Sequence, residues 1–198
     1  MKGMIWFFAL AVVGGCDGEI GEPTTVGTRP GGGGNGAAIG TGGSGGGDAG
    51  GAAGAAAPDP FAVAAICTSN TMWTRGDHGS PDMNPGRACI ACHTTNDGPA
   101  LTFAGTVYPT AHEPDLCYGD GSNTARVTIT GADGQTVTLT PGASGNFNSK
   151  TQVMLPYRAK VSYMGRERAM AAMQTTGDCN SCHTQNGANS APGRILLP

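Results

Sequence analysis

Two five-residue frames, Cys89-Ile90-Ala91-Cys92-His93 and Cys179-Asn180-Ser181-Cys182-His183, constrain this chain more than anything else in it. Each sets two thiols three positions apart with an imidazole directly behind the second. That order suits c-type haem attachment, in which the thiols add to the two vinyl groups and the histidine turns onto the iron. Cys89, Cys92, Cys179 and Cys182 are the expected attachment residues of two covalent haems, with His93 and His183 as proximal ligands. Two Cys-x-x-Cys pairs far apart in sequence can also converge on one ion, so zinc is the alternative cofactor, and disulfides alone are a third reading. A thioredoxin-like pair would want a βαβ pattern, which is missing, and would leave both histidines unexplained.

The N-terminus says where such chemistry would take place. Lys2 is followed by an apolar run over 4–13 and then Gly14 and Gly15, which reads as a secretory signal over 1–15. Ten apolar residues are too few to cross a hydrocarbon core about 30 Å thick, so the run serves export and is not a lasting span. Val13-Gly14-Gly15-Cys16 resembles a bacterial lipobox. The resemblance implies that Cys16 becomes the mature N-terminus and carries a diacylglycerol, which anchors the protein to a membrane of the cell envelope, on its periplasmic face or outer surface. Residues 16–60 are mostly glycine and alanine and hold few large apolar side chains. Such a stretch buries no core and is expected to be a flexible tether. It accounts for much of the chain's 35 glycines and its 6% aromatic content.

Export also bears on the remaining cysteines. With Cys16 given to lipid and four cysteines to the two frames, Cys67 and Cys117 are left, and in an oxidising compartment the expectation is a disulfide between them. The surroundings of the frames repeat loosely. Met83 and Met173 each stand six residues before a frame, Thr94 and Thr184 follow the histidines, and Asn96 and Asn186 come three residues after them. This is the pattern of a degenerate duplication. Candidate sixth ligands for the irons are His112, Met83, His78 and Met173, with His112 preferred for one iron because Met83 and Met173 sit so close in sequence to their own histidines. Glu113, Asp115 and Asp120 read as a solvated acidic loop.

Between the frames the pattern is β. Residues 101–108 form a first expected strand; 126–130 and 135–140 alternate apolar and polar residues around a turn containing Asp133-Gly134, a hairpin signal. Val127, Ile129, Val137 and Leu139 would then share a buried face. Phe147, 153–155 and 159–163 supply further strands, and 166–173 is the expected helix. Ala104-Gly105-Thr106-Val107-Tyr108, Ala125-Arg126-Val127-Thr128-Ile129, Gly145-Asn146-Phe147 and Tyr157-Arg158-Ala159-Lys160-Val161 resemble, in order and spacing, the β-sandwich of carboxypeptidase regulatory-like domains. The resemblance covers about 101–165 and implies a structural or adhesive module with no catalytic residues. The expected fold is therefore mainly β, a small Greek-key-like sandwich over 101–165 flanked by haem-binding segments at 61–100 and 166–198.

The net charge of −3 is scattered, which argues against nucleic acid as a partner. Electron transfer with redox partner proteins of the envelope is the leading functional expectation, and a carrier is favoured over an enzyme. The alternatives are a surface binding or adhesion module in which haem or zinc is structural, and a small haem peroxidase, which would need an open iron position.

Overall fold

The computed structural model describes residues 58–198. The expected signal sequence, the lipidated Cys16 and nearly all of the expected tether lie outside these residues. The described chain is mainly β. In order, its elements are helix α1 (Cys89–Thr95), β1 (Phe103–Tyr108), β2 (Arg126–Thr130), β3 (Thr136–Leu139), β4 (Asn146–Ser149), β5 (Arg158–Tyr163), β6 (Arg166–Ala169), a 3₁₀ turn (Cys179–Ser181) and β7 (Ile195–Leu196). Among the described residues no helix is long and apolar enough to cross a membrane.

Alternation makes the first sheet. Val127 faces Leu139 and Ile129 faces Val137 across the antiparallel β2–β3 pair, so the four apolar side chains share a face as expected. Their hairpin closes through the N–H of Gly134 on the carbonyl of Gly131, with Gly134 at φ +82°, a conformation glycine takes without steric cost. β5 lies along the other side of β2, and β6 pairs with β5, giving the order β3-β2-β5-β6. Here the structure corrects the sequence reading: 166–169 is a strand and no helix occupies 166–173. The reversal is made by Met164 and Gly165, both left-handed at φ +48° and +78°, as a two-residue hairpin turn requires. Residues 153–155, expected as a strand, form none.

The second sheet has the order β4-β1-β7, with β4 antiparallel and β7 parallel to β1. Every residue of β1 is buried. One apolar cluster joins the two sheets. Phe103, Val107 and Phe147 pack with Val127, Ile129, Tyr157 and Val161, and the rings of Phe103 and Tyr157 meet edge to face at 5.0 Å. Burial of such side chains contributes about 1.5 to 3 kcal/mol each.

Before α1 the chain is held by the loop that follows β1. The N–H of Trp73 donates to Leu116 and that of Tyr118 to Thr71, and Cys67 is disulfide-bonded to Cys117, as expected from the cysteine count. The loop is not the solvated acidic stretch its composition suggested. Glu113 is fully buried and accepts from the backbone N–H and hydroxyl of Thr68 and from the hydroxyl of Thr110. Asp120 is buried too, and Asp115 pairs with the buried Arg194. Polar neighbours inside the fold satisfy Glu113 and Asp120, which their spacing alone does not reveal, while Asp115 is exposed as expected.

Candidate functional site

The two frames take different local forms. The first lies on α1 and the second on the 3₁₀ turn. Both meet at β1. Ala104 donates its N–H to Gly177 and forms a bridge with Asp178, on the edge of β1 opposite β4, so the second frame begins as an extension alongside this central strand. Gly105 allows the close approach: a Cβ there would stand 2.7 Å from the Phe147 ring and 3.0 Å from Cβ of Cys179.

Each frame histidine is oriented in the same way. Nδ1 of His93 lies 3.0 Å from the carbonyl oxygen of Pro99, and Nδ1 of His183 lies 3.0 Å from that of Gly193. A carbonyl oxygen only accepts, so Nδ1 carries the proton and Nε2 keeps its lone pair. This is how a ligating imidazole is commonly fixed in tautomer and direction. Burial holds the pKa of His183 below the ordinary value against the opposing bond to Gly193, which favours the neutral, ligating form.

The thiols differ from one another. Cys89, Cys92 and Cys179 are free, whereas Cys182 is not. Burial, reinforced by the Asp178 carboxylate, pushes both Cys89 and Cys179 up to about 12. They are therefore protonated and poor nucleophiles within the folded chain. No zinc cage forms from the frames: among the described residues the only three metal-ligating groups that converge are Cys67, Glu113 and Cys117, and the two sulfurs of that set are bonded to each other.

Of the expected sixth ligands, His112 is committed elsewhere. Its Nδ1 lies 2.5 Å from the carbonyl of Gln185 and its Nε2 2.9 Å from that of Phe61. Two carbonyl acceptors require two ring protons, so in this arrangement His112 has no lone pair for iron, and its pKa is raised by these same bonds. The reason for preferring His112, its distance in sequence from both frames, is what frees it to tie the loop after β1 to the second frame. Met83 is partly buried, and His78 and Met173 are exposed; the structure brings none of the three to His93 or His183 through a hydrogen bond.

Sequence reasoning passed over three residues that organise this region. Asp178 accepts the N–H of Ala91 at 2.9 Å; Asn180 donates to the carbonyl of Arg87 and accepts the N–H of Thr106. Arg194, almost wholly buried, donates to the carbonyls of Glu113, Gly86 and His183. Asp178 and Asn180 lie beside or inside a frame, where their own chemistry is hidden by that of the cysteines. No protein-family model, curated protein or solved structure matches this chain.

Proposed function

We propose that this chain is an exported, lipid-anchored electron carrier of the cell envelope holding two covalent c-type haems, one at each frame. The observation that carries the reading is the matched pair of imidazoles: in both frames Nδ1 is tied to a backbone carbonyl and Nε2 is left available for iron. The donor set of the first frame, two free cysteines and a histidine in attachment order, fits the group; in the second frame Cys179 is free but Cys182 is disulfide-bonded and would have to be reduced before it could attach. A haem would supply reversible one-electron chemistry at each frame. The chain's share is to aim His93 and His183, to exclude water with the apolar faces around β1, and to keep the frames adjacent through Asp178 and Asn180, so that one redox centre can pass an electron to the other. The two sheets fit a small β-sandwich similar to carboxypeptidase regulatory-like modules, serving as the mount for the two haem segments, and a lipid on Cys16 would hold the assembly at the membrane. Because His112 is committed, Met83 is the sixth ligand to test first.

Protein made with a haem-maturation system should keep a haem stain on denaturing gels. Cys89→Ser with Cys92→Ser should remove one equivalent, and Cys179→Ser with Cys182→Ser the other. Cys16→Ser should release the protein from membranes, and the pure protein should give a reversible redox wave. Stoichiometric zinc without haem would overturn the reading, and rapid turnover of peroxide would move it to an enzyme.

A further inference from the structure

Helix α1 lacks the means to hold its own N-terminus. Its N-cap is Ala88, which makes no side-chain capping bond, and its first turn has no acidic residue. A seven-residue helix is far too short to persist alone in water. The missing cap arrives from the other frame. Asp178 sets Oδ2 2.9 Å from the N–H of Ala91, the third residue of α1, which is the donor an N-cap aspartate ordinarily satisfies. Asn180 braces the same end by donating to the carbonyl of Arg87 at 3.0 Å, and is itself fixed on β1 by the N–H and hydroxyl of Thr106.

The arrangement is costly to keep. Asp178 is 6% exposed, and its second oxygen, Oδ1, is buried with no hydrogen-bond partner among the described residues. Burying a half-satisfied carboxylate carries a desolvation cost, and the hydrogen bond that offsets it here is the one to α1. It also sits one peptide unit before Cys179, so any displacement of that cysteine moves the cap.

We propose that Asp178 is the positioning residue of the first frame: a cap supplied from the second frame, on which the placement of Cys89, Cys92 and His93 depends. Its consequence for a bound haem rests on the function proposed above; its effect on α1 does not.

Amide exchange of the segment containing Ala91, in the haem-free full-length protein, tests the cap. Asp178→Ala should speed that exchange about tenfold, and Asp178→Asn, whose amide oxygen can still accept, should leave it near the wild-type rate. Adding Ala88→Asp to Asp178→Ala, which installs a cap at the helix's own N-cap position, should restore protection; should Asp178→Ala alone not fold, recovery of folded protein by this second change is the same result. In haem-loaded protein, one ferric haem signal should move in Asp178→Ala and return in the double variant. Unchanged exchange in Asp178→Ala, or acceleration that Ala88→Asp fails to reverse, overturns the proposal. Absence of haem from wild-type protein would instead remove the proposed function and leave the exchange result standing.

Discussion

The guanidinium of Arg194 lies 5.1 Å over the ring of Tyr108, with the side chain fully buried and hydrogen-bonded to three carbonyls and to Asp115. Those carbonyls belong to Gly86, three residues before the first frame, to Glu113 in the loop after β1, and to His183 itself. One side chain therefore clamps both frames to the strand between them. Arg194→Met fills the space but leaves buried acceptors unpaired, and the expected loss is about 3 kcal/mol in denaturant unfolding. Arg194→Lys should recover little, because an ammonium cannot serve the same fork of acceptors. A loss below about 1 kcal/mol for the methionine variant would mean that solvent already serves those carbonyls.

Gly98 faces the imidazole of the first frame. A Cβ at this position would stand 2.7 Å from Cγ of His93 and 2.9 Å from Cδ2, so Gly98→Ala must displace the ring and disturb its bond to Pro99. If the first frame holds the proposed haem, added imidazole should then displace His93 about tenfold more readily, as for other losses of an orienting partner. Equal displacement in both proteins would show that the ring is oriented by something other than its bond to Pro99.

His112 gives stability a pH dependence of defined sign. Its pKa is raised in the folded chain by the carbonyls of Gln185 and Phe61. The stabilisation is thus fully present below the ordinary histidine value and fades as pH rises through the raised one. The melting-temperature gap between wild type and His112→Ala should be wider at about pH 5 than at about pH 9. A gap that is constant or widens with pH would contradict the two-carbonyl arrangement.

Met164 occupies a left-handed conformation at φ +48° and is 81% exposed, so its side chain contributes strain without packing. Asparagine tolerates this backbone better, and Met164→Asn should stabilise the protein by about 0.5 to 1 kcal/mol in thermal or denaturant unfolding. Destabilisation would imply a role for the methionine beyond the turn.

What the sequence disclosed and what it concealed divide along physical lines. The β2–β3 hairpin was legible because alternation and Asp133-Gly134 agree on one register, and the Cys67–Cys117 bond followed from the count of thiols. β6 was hidden because Arg166-Glu167-Arg168-Ala169 has helical propensity, overridden by pairing with β5 and by the bond from Lys160 to Glu167. β7 is two residues long and parallel to β1, and nothing local marks it. The frames marked which cysteines and histidines stand together. They gave no sign that Glu113 is interior, that His112 spends both nitrogens on backbone, or that Asp178 serves a helix 87 positions upstream, because each depends on contacts made only after the chain has returned on itself.

The parallel pairing of Val107 with Ile195 places the earliest strand of its sheet beside the latest. A ribosome releases β1 long before β7, so this sheet stays open on one side while most of the chain has already emerged. During that interval the sulfur of Cys179, later pressed against the core and held protonated, is reachable by outside chemistry. Were the second frame loaded covalently as proposed, the nascent chain would offer Cys179 more openly than the folded one, and a slower closure of the last strand would lengthen that window.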